Sequence, residues 1–149
     1  KKILLTMALC LTALLLVIGT AAAAVPEVTS ADVAWVAFGQ SGDGTSADTP
    51  IGTLAGLQNA ANGGTLVVKN KLYIATAAKL EVNGALKITA KHGDKDFTGD
   101  DGNALIIESS GVLTINSNVI IDDIAISMRN RKIGTIKVAK GATLYIGEN

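Results

Sequence analysis

The chain's densest run of metal-type donors is Lys91-His92-Gly93-Asp94-Lys95-Asp96-Phe97-Thr98-Gly99-Asp100-Asp101-Gly102-Asn103, which carries four aspartates. Alternating oxygen donors followed by a tight Gly turn can wrap a hard cation, and Asp94-x-Asp96-x-Thr98-Gly99 matches the first half of such a calcium loop. Asp94, Asp96, Asp100 and Asp101 would then be the Ca2+ donors. The second half of the pattern fails, because the twelfth position is Leu105 and helical flanks are missing. The competing reading is a solvated loop. Zinc is a poor fit: the chain has one His and one Cys, and Cys10 sits in the N-terminal apolar run. With its one Cys in that run, the chain offers no Cys-His nucleophile set.

Two further groups have chemical potential. Asp122 and Asp123 are adjacent carboxylates, but neighbouring strand residues point to opposite faces, so they serve one site only if the backbone departs from a regular strand. Arg129 and Arg131 could grip a carboxylate such as a uronate through bidentate hydrogen bonds, and a solvated turn is the plainer reading. Aromatic faces could stack sugar rings. Tyr73 and Tyr145 sit mid-strand in outward positions, whereas Trp35 and Phe38 read as core or cap residues. With no catalytic residue assigned, the ligand-binding candidates are Tyr73, Tyr145, Arg129 and Arg131.

The elements that must position these groups are short strands. Ten apolar-x-apolar dyads cover the last eighty-odd residues: Leu66/Val68, Leu72/Ile74, Leu80/Val82, Leu86/Ile88, Leu105/Ile107, Leu113/Ile115, Val119/Ile121, Ile124/Ile126, Ile136/Val138 and Leu144/Ile146. Each dyad puts two branched side chains on one strand face. Middle residues such as Glu81, Lys87, Thr114, Lys137 and Tyr145 suit the outside. Val67, Ile106 and Ile120 do not, which predicts a cover over their face. Gly84-Ala85-Leu86-Lys87-Ile88 is echoed at Gly111 and Gly141, and a period in the twenties fits one turn of a coil of strands. A sandwich is the alternative topology.

Before the dyads come a strand over 33–38, a Gly-rich loop over 39–48, and a short helix from Leu54 to Ala61. Thr53 is the expected N-cap, Leu54, Leu57 and Ala61 the expected apolar face, and Asn62-Gly63-Gly64 the stop. The loop lacks the Lys-Ser/Thr pair and the spacing of a phosphate loop.

The N-terminus has a basic start (Lys1, Lys2), an apolar stretch and the small-residue run Ala21–Ala24, the pattern of a secretory signal peptide cleaved near Ala24. An uncleaved anchor is the alternative. Without Lys1 and Lys2 the chain has 11 Lys+Arg against 13 Asp+Glu, so no basic surface recommends nucleic acid, and no membrane contact is expected after cleavage. Ile146 closes a strand with no capping segment behind it, which leads to the expectation that the chain continues and that the rest of its own longer chain is a partner.

The order strand, Gly-x-x-Gly-Asp-Gly-Thr-Ser, Pro50-x-x-Thr53-Leu54, helix, Gly63-Gly64-Thr65-Leu66-Val67-Val68 resembles the start of secreted right-handed parallel β-helix proteins of the pectin-lyase-like group. Later segments resemble the large bacterial surface repeat proteins of that kind. The resemblance implies an all-β right-handed parallel β-helix, a solenoid, with residues 1–24 a signal peptide, 25–64 the leading strand, loop and capping helix, and 65–149 the first coils. It also implies two functional expectations. One is a non-catalytic secreted or cell-surface module with a structural or adhesive role, contacting extracellular glycan or cell-wall components. The other is the N-terminal part of a polysaccharide lyase or glycosidase whose catalytic coils lie beyond Asn149.

Overall fold

A computed structural model of the protein describes residues 24–99, 102–127 and 134–147. Residues 1–23 of the expected signal peptide lie outside the described residues, as do Asp100, Asp101, Arg129 and Arg131.

Among the described residues, thirteen strands and one helix follow in order: β1 Val33–Val36, α1 Leu54–Ala60, β2 Gly64–Val68, β3 Lys71–Ile74, β4 Lys79–Val82, β5 Leu86–Thr89, β6 Lys91–His92, β7 Lys95–Asp96, β8 Ala104–Ile107, β9 Val112–Ile115, β10 Val119–Asp122, β11 Ala125–Ser127, β12 Thr135–Val138 and β13 Leu144–Ile146. They form three parallel sheets: A, in the order β1-β2-β5-β10-β13; B, β11-β8-β3; and C, β12-β9-β4. The described chain is thus predominantly β, built of parallel sheets with one short helix. From β2 onward it visits the sheets in fixed rotation, A then B then C, three times before β13 returns it to A, with β1 lying beside β2 in sheet A. A lone antiparallel pair among the named strands, β6 with β7, interrupts the second circuit.

Register aligns the dyads into ladders. Leu66 pairs with Ile88, Ile88 with Ile121, and Ile121 with Ile146 in sheet A. Leu72, Leu105 and Ile126 align in sheet B, and Leu80, Leu113 and Ile136 in sheet C. These side chains face one shared interior, where Leu66, Leu72, Leu80, Leu86, Ile88, Leu105 and Leu113 are fully buried. Each such side chain contributes about 1.5–3 kcal/mol on leaving water. The interior opens toward the last circuit: Val138 and Ile146, in ladder positions, are 46% and 55% exposed.

One circuit is measured by register. Gly64 pairs with Leu86, Leu86 with Val119, and Val119 with Leu144, steps of 22, 33 and 25 positions. The Gly84, Gly111 and Gly141 echoes therefore do not mark successive circuits. Gly84 and Gly141 precede strands of sheet A, but Gly111 precedes β9 of sheet C. The segments look alike because every corner makes the same local demand, a turn followed by an inward-x-inward dyad. The corners use left-handed backbone: Ala77 and Ser110 both have positive φ and join sheet B to sheet C in consecutive circuits.

Helix α1 covers the edge of sheet C at β4. Thr53 Oγ1 accepts from Gly56 N–H, as an N-cap should. Leu57 and Ala61 enter the core, but Leu54 is 41% exposed, because α1 presents a narrower apolar stripe to β4 than the spacing alone implies. Gln58 and the backbone of Glu81 exchange two hydrogen bonds, which pairs groups that an open strand edge would leave to water.

Candidate functional site

The outer face of sheet A begins with Trp35, Val67, Thr89 and Asp122, aligned across β1, β2, β5 and β10. After Thr89 the chain leaves the sheet as the β6–β7 hairpin and folds back over this face. The Trp35 ring meets His92 and Phe97 edge-on, with centroids 6.0 and 6.1 Å away and interplanar angles of 84° and 87°. Edge-to-face pairs of this kind add to area burial because the ring edge is positive and the face negative. The hairpin is the cover that Val67 demands. Ile106 lies between Tyr73 and Ser127, and Ile120 between Lys87 and Tyr145, on neighbouring strands.

The hairpin also brings charges together where sheet A turns into sheet B. Lys91 Nζ donates to Asp123 Oδ1 at 3.0 Å and lies 3.9 Å from Asp96. Lys87 Nζ donates to Asp122 Oδ2 at 3.1 Å. Asp123 has φ of 53°, a left-handed conformation that Asp tolerates better than most residues. That departure from the strand meets the condition set for adjacent carboxylates: Asp122 and Asp123 both face lysines on the outer surface. The ordinary values of Lys91 and Asp96 move toward their charged forms. Lys91 is raised by its hydrogen bond to Asp123 and by the charges of Asp123, Asp96 and Asp122. Asp96 is lowered by the Thr98 hydroxyl and amide, which both donate to it. A protonated ammonium and an ionised carboxylate are fixed charges suited to holding polar groups, and neither is poised to exchange a proton near neutral pH.

Beside this cluster is a hollow of about 290 Å³ lined by Lys91, Thr98, Asn103, Asp123, Ile124 and Ala125. Asn103 Nδ2 donates to the carbonyls of Val68 and Phe97, both at 2.9 Å. These two acceptors fix which end of the amide carries nitrogen. Its Oδ1 is shielded from solvent and accepts no hydrogen bond among the described residues.

The residues singled out in the sequence are spread apart. Tyr73 lies outward on β3 of sheet B, with its ring centroid 4.6 Å from that of Phe38. Phe38 is 49% exposed, outside the core position expected of it. Tyr145 lies on β13 of sheet A, opposite Ile120. Asp94 is at the hairpin tip, 3.7 Å from Lys95 Nζ, and Asp96 is bound to Thr98. No group of three or more His, Cys, Asp or Glu among the described residues is arranged to hold a metal ion. Arg129, Arg131, Asp100 and Asp101 lie outside the described residues.

Lys87, Lys91 and Asn103 were not among the sequence candidates. Their signal is the 33-position circuit, which sets Lys87 opposite Ile120 and Thr89 opposite Asp122. The Gly echoes pointed to the wrong period for finding it.

No protein-family model matches the chain, and neither curated proteins nor solved structures yield a match. Among the described residues, no helix is long and apolar enough to cross a membrane.

Proposed function

We propose that the protein is a secreted or cell-surface module of the right-handed parallel β-helix type, similar to the pectin-lyase-like proteins, with a structural or adhesive role in contact with extracellular polysaccharide. The observation that carries this reading is the threefold rotation through sheets A, B and C with inward ladders in register. A coil of this kind spends its apolar residues on the interior and leaves an extended outer surface free to vary. On that surface the strongest features are fixed ion pairs and aromatic contacts, which suit the recognition of polar, ring-bearing polymers.

The test is cosedimentation of the purified chain with insoluble polysaccharides, together with fractionation of cells that express it. Enrichment in the medium or on the cell surface, and pelleting with at least one polysaccharide, are expected. Retention inside the cell would overturn the localisation. Failure to pellet with any polysaccharide would overturn the glycan contact.

A further inference from the structure

We infer that the hollow between the β6–β7 insertion and the β10–β11 corner binds a neutral sugar residue of a polysaccharide chain through a pair of its hydroxyl groups. This rests on the glycan-contact reading above and names the site and the class of glycan.

The site is made by the insertion. Lys91 and Thr98 come from the second circuit's hairpin, and Asp123, Ile124 and Ala125 from the corner of the third. The volume of about 290 Å³ is at the small end for ligand sites and suits one sugar ring. Ile124 and Ala125 give it an apolar wall, where the C–H face of a sugar can lie.

The polar groups select the ligand class. An ionised carboxylate accepts only, and an ammonium donates only. Lys91 and Asp123, held 3.0 Å apart, therefore present one acceptor and one donor side by side. Adjacent sugar hydroxyls are both donors and acceptors, so one can donate to Asp123 while its neighbour accepts from Lys91. Asn103 ties the wall of the hollow to β2 and to the end of the hairpin, its amide nitrogen donating to the carbonyls of Val68 and Phe97.

Charge weighs against the two nearest alternatives. Among the described residues around the hollow, Asp96, Asp122 and Asp123 outnumber Lys87 and Lys91, and each lysine already faces an aspartate. A uronate would meet net negative charge and compete with existing ion pairs. A divalent cation would lie beside the Lys91 ammonium.

Calorimetric titration of the purified chain with neutral tetrasaccharides of glucose, mannose and galactose, with an oligogalacturonate, and with CaCl2 tests the inference. Binding of at least one neutral tetrasaccharide is expected, in the millimolar to micromolar range. Asp123→Asn keeps a residue that tolerates the left-handed backbone but removes the charge, and should weaken that binding at least tenfold. Asp94→Asn, at the hairpin tip away from the hollow, should leave it unchanged. Tighter binding of oligogalacturonate or Ca2+ than of any neutral sugar, or neutral-sugar binding that Asp123→Asn does not alter, overturns this inference and leaves the glycan-contact reading standing. No heat with any saccharide, combined with no pelleting by any polysaccharide, overturns both.

Discussion

Gln58 completes the backbone hydrogen bonding of Glu81, its Nε2 donating to the carbonyl at 2.7 Å and its Oε1 accepting from the amide at 3.0 Å. One side-chain amide thus imitates a further strand at the edge of sheet C. The helix needs this anchor, since two turns are marginal alone and only Leu57 within α1 is fully buried. Gln58→Ala should lower stability by about 1 kcal/mol, because both bonds lie at an exposed edge where water replaces part of what is lost. Gln58→Glu should cost at least as much, because a carboxylate cannot donate to the Glu81 carbonyl. Urea unfolding followed by far-UV circular dichroism measures both.

The circuits are held at fixed spacing by close approaches that only glycine permits. A Cβ at Gly84 would collide with the Asn62 carbonyl oxygen, a backbone atom that cannot swing aside. Gly84→Ala should therefore destabilise by roughly 2–4 kcal/mol, in the range of strained or overpacked sites. At Gly99 nothing lies within 4 Å of a built Cβ, so Gly99→Ala should stay within about 0.5 kcal/mol of the parent. Thermal melts of the two variants separate crowding from a general intolerance of alanine.

The strands themselves were legible because a dyad is a local signal. From Leu66/Val68 to Leu144/Ile146, every dyad falls on or at the edge of a strand, and all of their residues except Val138 and Ile146 lie in the core or pack against it. The parallel pairing was legible less directly, from many short strands without hairpin turns. The circuit length was legible in part: steps of 22 and 25 positions lie in the expected twenties, whereas the step of 33 holds the β6–β7 insertion, and repeated Gly-x-apolar corners occur in more than one sheet, so local similarity does not report register. Trp35 and Phe38 show why aromatic composition alone does not report core: Trp35 is an outward position of β1 that is covered only when a distant insertion folds over it, and Phe38 lies in the turn after β1, 49% exposed. The Lys91–Asp123 contact joins residues 32 apart and depends on a left-handed Asp, which strand alternation forbids one to expect.

The chain's only tryptophan, Trp35, reports directly on the hairpin that builds the proposed site. Phe97→Ala removes one of the two rings set edge-on to it. The Trp35 emission maximum should shift to the red and iodide quenching should rise, with a loss of about 1 kcal/mol or somewhat more in stability. His92→Ala should produce a smaller change in emission, because His92 is exposed and offers less apolar surface than Phe97. Unchanged emission in both variants would mean that the hairpin does not rest on Trp35 in solution.

Acid should loosen the Gly-rich loop through one carboxylate. Asp43 Oδ1 accepts from the Thr45 amide at 3.0 Å and from the hydroxyls of Thr45 and Thr49, both at 2.8 Å. The Thr45 amide and hydroxyl and the Thr49 hydroxyl hold Asp43 below its ordinary value of 3.8. A depressed folded-state value means that the carboxylate's stabilising contribution is present in full above the ordinary aspartate range and is lost as pH falls through the folded value. The Thr45 amide should therefore be protected from hydrogen exchange at pH 6 and lose that protection, relative to its intrinsic exchange rate, as pH falls below about 4. In Asp43→Asn the side-chain amide oxygen still accepts but carries no titrating charge, so protection should be weaker at pH 6 and should no longer depend on pH in this window. Exchange monitored by NMR from pH 6 to pH 3 distinguishes the two proteins, and protection in the Asp43→Asn variant that still falls with acid would assign the loosening to another carboxylate.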